Sequence, residues 1–130
     1  MLPRGQPASP SVLLVDDNVD LLEGLQEVFE GEGWRVRTAC NGRDALDVLH
    51  QGPVPDVIVL DLMMPVMAGP EFLAARRGVE QLRAIPVVVV SAAAEELGVA
   101  VRSDVHAVLL KPVPIPTMLK VVADAVLEPA

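Results

Sequence analysis

Phenylalanine, tyrosine and tryptophan are nearly missing from this chain: there is no tyrosine, and only Phe29, Phe72 and Trp34 represent the other two. A core must therefore be aliphatic, built from Val, Leu, Ile, Ala and Met. Cysteine is limited to Cys40, which excludes an internal disulfide and a zinc site built on cysteine. Basic residues are in deficit, 10 Lys and Arg against 18 Asp and Glu, for a formal charge of −8. Nucleic-acid binding through phosphate neutralisation needs the opposite balance. No apolar run approaches the roughly eighteen residues of a membrane span. Residues 1–10 hold Pro, Gly, Gln and Ser without the apolar stretch of a signal peptide, and read as a short disordered lead-in. These absences set the expectation of a cytoplasmic location, with neither membrane nor direct nucleic-acid contact.

What is present is a compact-domain composition: 130 residues, 52% hydrophobic and 22% charged. Four short apolar runs stand out: Val12 to Val15, Val57 to Leu60, Val87 to Val90 and Val105 to Leu110. Continuous apolarity over so few residues suggests strands covered on both faces, as in parallel sheets. A fifth run, Trp34 to Ala39, alternates and predicts an edge strand with one wetter face. Helical spacing falls between the runs. Asn18 or Asp20 can cap a helix carrying Leu21, Leu22, Leu25, Val28 and Phe29, closed by Gly31 and Gly33. Asn41 can cap a second, ended by Gly52-Pro53. Pro70 can open a third with Phe72 and Leu73 inward. Glu95 to Arg102 forms a weaker fourth, diluted by Gly98, and Thr117 to Leu127 a fifth. Alternation of strand and helix implies right-handed crossovers and a parallel sheet with helices on both faces, in one domain over residues 11–130.

Ligands of such sheets bind at the carboxyl ends of the strands. Asp16 and Asp17 follow the first strand, Asp61 ends the third, Ser91 the fourth and Lys111 the fifth. Each alone has a bland reading: an Asp after a strand is usually a cap or turn residue, Ser91 a cap, and Lys111 a solvated strand end. As a set they are harder to dismiss. Three crowded carboxylates repel one another unless a cation or protons relieve them. Mg²⁺ (or Mn²⁺) suits such a site, because it prefers carboxylate and water oxygens and leaves positions open for phosphate.

Several stretches carry a family likeness: Val12-Leu13-Leu14-Val15-Asp16-Asp17-Asn18, Val57-Ile58-Val59-Leu60-Asp61-Leu62-Met63-Met64-Pro65, Val88-Val89-Val90-Ser91-Ala92 and Leu110-Lys111-Pro112, with Gly69 in a suitable loop place. From Val12 to Leu127 the chain resembles the receiver domains of two-component response regulators. The resemblance implies a flavodoxin-like (βα)5 α/β fold, doubly wound, with a parallel five-stranded sheet in the order 2-1-3-4-5. It implies that Asp61 accepts a phosphoryl group from a histidine kinase or phosphotransfer protein. It further implies that Asp17, Asp61 and the backbone carbonyl of Met63 bind the metal directly, with Asp16 acting through a water. Ser91 and Lys111 would hold phosphoryl oxygens, and the peptide between Lys111 and Pro112 would be cis, which proline makes accessible.

Three departures from the family pattern matter. Val108 stands three residues before the lysine, where many receivers carry the Tyr or Phe of an aromatic switch. Asp104-Val105 replaces the usual Gly-Ala, so the fourth helix and its exit should be short or irregular. Pro112, Pro114 and Pro116 stiffen the approach to the last helix. These changes lie on the face through which many receivers dimerise, so the expectation is a monomer or weak dimer that does not use the symmetric dimer of the fourth and fifth helices.

Smaller signals read blandly. Met63, Met64 and Met67 suit loop packing. His50 and His106 lack metal-ligand spacing, Cys40 is an inert strand-end residue and Trp34 packs over a strand edge. The sequence therefore predicts a module that catalyses its own phosphorylation without turning over a separate substrate, and that signals by protein–protein contact through an unknown downstream target. A phosphorelay carrier, or a receiver cut from a larger regulator, is the alternative. A true phosphatase with an aspartyl-phosphate intermediate would want a second acid at position 63, where Met63 stands, and an interaction scaffold would be expected to have a damaged acidic site.

Overall fold

The computed structural model describes residues 9–62, 66–92 and 105–127. Among these residues there are five strands: β1 (Ser11–Val15), β2 (Arg35–Ala39), β3 (Val57–Asp61), β4 (Val87–Ser91) and β5 (Ala107–Leu110). All pair in parallel, in the order β2-β1-β3-β4-β5. Strand order reverses between β1 and β3, so a crevice opens at the carboxyl ends of these two strands. The expected flavodoxin-like fold, five parallel strands in the order 2-1-3-4-5 with helices between them where the chain is described, is the one observed.

Side chains alternate across the sheet. Leu13, Val15, Ile58, Leu60, Val87 and Val89 face one apolar cluster, and Val12, Leu14, Val57, Val59, Val88 and Val90 face the other. Both faces of the central strands are therefore buried, which is why their sequences read as unbroken apolar runs. β2, at an edge, keeps Arg35 exposed and Val36 to Thr38 only half-buried. Trp34, just before it, packs edge-on against Phe29, with ring centroids 5.6 Å apart.

Helix α1 (Val19–Gly31) begins where the Asn18 side chain accepts from the Leu21 N–H, and buries Leu22, Leu25 and Phe29. Helix α2 (Gly42–His50) is capped in the same way by Asn41, bonded to the Asp44 N–H at 2.7 Å. Helix α3 (Gly69–Arg77) takes Pro70 in its first turn and turns Phe72 and Leu73 inward. A one-turn helix, α4 (Glu80–Arg83), follows that the sequence reading did not include. The last helix, α5 (Ile115–Leu127), starts two residues before the expected Thr117, because Pro116 fits a first turn where its missing N–H has no partner to lose.

β5 starts at Ala107 rather than Val105, although the His106 N–H already reaches the Val87 carbonyl at 2.8 Å. The helix expected over Glu95–Arg102 and the departure at Asp104 lie outside the described residues. So do residues 1–8 of the expected lead-in. Its last two residues are tied down: the carbonyls of Ser9 and Pro10 accept from the Arg35 side chain and backbone.

Candidate functional site

Strand direction brings the chemistry-bearing residues together. Asp61 is the last residue of β3 and Ser91 the last of β4; both are buried, at 4% and 1% exposure. Asp16 follows β1 and is also buried, whereas Asp17 is exposed. Lys111 follows β5, its N–H donating to the Ser91 carbonyl at 2.8 Å. That bond continues the β4–β5 ladder, in which Ser91 pairs with Leu110, and so fixes the root of the lysine beside the end of β4. The peptide bond between Lys111 and Pro112 is cis.

One carboxylate oxygen from each of Asp16, Asp17 and Asp61 lies within 4.8 Å of the others. The Lys111 Nζ approaches Asp61 Oδ1 at 3.3 Å and Asp16 Oδ2 at 3.9 Å. Asp16 also accepts from the Asn18 N–H at 2.9 Å. Burial, as the largest influence, holds the Asp16 carboxyl above the usual carboxylate range, and the nearby Asp61 and Asp17 push the same way; the Asn18 N–H and Lys111 oppose them. A buried acid driven up by burial and by its acidic neighbours is incompletely compensated by one ammonium. An all-oxygen donor set of this kind fits a hard divalent cation such as Mg²⁺.

Beside the acids runs a mainly apolar cleft of about 510 Å³ between α1 and the start of α5, lined by Leu21, Leu25, Val113, Ile115 and Met118 among others. Asp16, Asp61 and Lys111 also line it. Of the other site residues expected from sequence, Met63 lies outside the described residues. Val108 is half-buried, paired with Val89 and packed against the cluster under α2 and α3.

The sequence reading missed two features of this rim. Val66, in the loop after β3, has φ 68° and is 78% exposed, an unusual backbone for a β-branched residue. Gly42, at the start of α2, donates its N–H to the Met67 carbonyl at 3.0 Å. Asn41-Gly42 signalled a helix start, but nothing local in sequence says which loop that start will meet.

A doubly wound parallel sheet with an acidic nest and an ammonium at its switch point defines a class of α/β module built around one anionic site. The chain belongs to the response regulator receiver domain family, whose model matches residues 12–123. It is 36% identical over 107 residues to the response regulator receiver protein Anae109_2439 of Anaeromyxobacter sp. (strain Fw109-5), covering 82% of this chain and 44% of that protein. It is also 36% identical over 113 residues to the sensor histidine kinase TmoS of Ectopseudomonas mendocina, covering 85% of this chain and 11% of that protein. The chain thus spans less than half the length of these curated relatives. Among solved structures, the chemotaxis response regulator CheY4 of Vibrio cholerae superposes with a TM-score of 0.81 at 31% identity, over 90% of this chain and 98% of that one.

Proposed function

We propose that this chain is a phosphoryl-accepting signalling module whose acceptor is Asp61. The observation that carries the reading is the Lys111 ammonium held 3.3 Å from the buried Asp61 carboxylate, with two further acids alongside. Phosphoryl transfer depends on in-line positioning and on neutralising the transferred oxygens more than on acid–base work. Asp61 Oδ attacks phosphorus, the bond from phosphorus to the donor's imidazole nitrogen breaks, and that nitrogen keeps the electron pair. Lys111 then pairs with one phosphoryl oxygen and the Ser91 hydroxyl donates to another. Membership of the receiver family and the match to receiver segments of longer regulators support these roles.

Asp16, Asp17, Asp61 and the Met63 carbonyl would hold Mg²⁺, or Mn²⁺ in its place. When bound, the ion would supply positive charge at the phosphoryl oxygens. The donor is a sensor histidine kinase or a phosphotransfer protein, and the module acts in the cytoplasm without turning over a separate substrate. Its output is protein contact; a relay carrier, or one module of a longer regulator, is the alternative. With Val108 in place of an aromatic ring, Ser91 cannot trigger a ring rotation at that position, and the response is carried by backbone shifts or other side chains.

Incubation with acetyl phosphate and Mg²⁺, read by intact mass, should add one phosphoryl group to the wild type and none to Asp61→Asn. A wild type that stays unmodified at saturating Mg²⁺ sinks the reading.

A further inference from the structure

Among the described residues, two contacts hold the segment that follows Asp61, one at its own base and one from α2. At its base the Gly69 N–H donates to the Leu62 carbonyl at 3.0 Å. The seat is tight: a Cβ on Gly69 would stand 2.8 Å from Leu62 Cα and 3.3 Å from the Asp61 carbonyl oxygen. The far side of the loop is therefore packed directly on the backbone of the acceptor. The second hold comes from α2, where the Gly42 N–H reaches the Met67 carbonyl at 3.0 Å. A Cβ on Gly42 would lie 2.7 Å from that same oxygen and 2.7 Å from Met67 Cγ. The oxygen is main chain and cannot swing aside as a side-chain tip would. The first N–H groups of a helix have no partner inside it, so this one is available to the loop.

Between β3 and these holds, Val66 sits in the left-handed region at φ 68°. A β-branched residue leaves that region unless its surroundings hold it there. The described contacts that do so are the Gly42–Met67 bond on one side and the Gly69 seat on the other.

Resting on the phosphoacceptor reading, we propose that Gly42 is a positioning residue for the acceptor loop: by lacking a side chain and donating its N–H to Met67, it sets the loop's path and, through Gly69 and Leu62, the placing of Asp61. Among the described residues Gly42 meets Met67, and it acts through that residue. Misplacing reacting atoms by about an ångström is enough to cost large factors in transfer, so a clash at this contact should be felt at Asp61.

The test uses the full chain and beryllofluoride with Mg²⁺ as the phosphoryl probe, measured by calorimetry, with urea melts of each variant. Gly42→Ala should weaken beryllofluoride binding by about tenfold, beyond any change in folding. Adding Val66→Gly should restore part of the affinity, because glycine accepts the backbone angles a displaced loop needs. A Gly42→Ala protein that melts earlier but binds the probe like the wild type has lost only structure, and overturns the proposal. Should that variant not fold, the wild type decides: exchange of the Gly42 amide should slow when beryllofluoride is bound, and an unchanged rate overturns it. A wild type that never binds beryllofluoride instead removes the phosphoacceptor reading itself, so the two failures are distinguishable.

Discussion

Lys111 Nζ stands closer to Asp61 Oδ1, at 3.3 Å, than to Asp16 Oδ2, at 3.9 Å. This ammonium is a cation that the two buried carboxylates share, and a divalent ion must compete with it for their oxygens. Lys111→Met should therefore tighten Mg²⁺ binding several-fold while slowing phosphoryl uptake from acetyl phosphate by about a hundredfold, since one preorganised charge at the transferred group is lost. An NMR titration with Mg²⁺ and a mass time course separate the two effects. Loss of Mg²⁺ affinity together with rate would mean that the lysine supports the metal site rather than competing for it.

Asp16 makes a second prediction, about stability. Its carboxyl is held above the usual range, chiefly by burial, so the folded state disfavours its charged form. A group whose folded pKa is raised binds more protons folded than unfolded, and stability falls as pH rises through that interval. In metal-free protein, Asp16→Asn should be more stable than the wild type by about 1 kcal/mol at neutral pH. The gain should fade as pH falls, vanishing below about 4, where the unfolded acid is protonated too. Saturating Mg²⁺ should reverse the order. Urea melts at several pH values with and without Mg²⁺ provide the check; an Asn variant less stable at neutral pH without metal would contradict it.

Much of this molecule can be read from sequence because its strands are buried on both faces. Val57 to Leu60 and Val87 to Val90 admit few other readings, and with the strands located, the acids, Ser91 and Lys111 fall at one rim by direction alone. Periodicity could not deliver contacts between segments distant in sequence. Gly42 meeting Met67 depends on how α2 lies against the next loop, and the left-handed Val66 runs against local preference. One turn of helix at Glu80–Arg83 is too short for any 3.6-residue pattern to emerge. Arg76 shows the opposite case: Phe72, Leu73 and Arg76 share one helical stripe by spacing, so its burial could have been found by trusting the stripe over the charge.

Helix α3 offers a prediction on the cap the sequence omitted. Its N-cap is Ala68, with extended backbone (φ −71°, ψ 165°) and no side-chain hydrogen bond to the first turn. Ala68→Ser supplies an acceptor in the place where Asn18 and Asn41 provide one for α1 and α2, and should stabilise the protein by about 1 kcal/mol. A denaturant midpoint that does not rise would show that the neighbouring loop prevents the hydroxyl from reaching the first-turn N–H groups.

The two arginines at the end of α3 should behave very differently despite being adjacent. Arg76 is 3% exposed, and its guanidinium donates to the carbonyls of Arg83 at 3.0 Å and Ile85 at 2.8 Å. It thereby closes the turn from α4 into β4, the strand that ends in Ser91. Arg77 is exposed. Arg76→Leu keeps the bulk of the side chain but removes the donor from the buried bond to the Ile85 carbonyl and from the part-buried one to Arg83, a loss of about 2–3 kcal/mol. Arg77→Ala should cost less, about 0–1 kcal/mol, the usual worth of an exposed charged side chain and its surface contacts. Because the Arg76 contacts lie at the start of β4, away from its carboxyl end, Arg76→Leu should lower the urea midpoint while the remaining folded protein still accepts phosphoryl groups at a similar rate. Equal midpoints for the two variants would mean that the buried guanidinium contributes nothing beyond its volume.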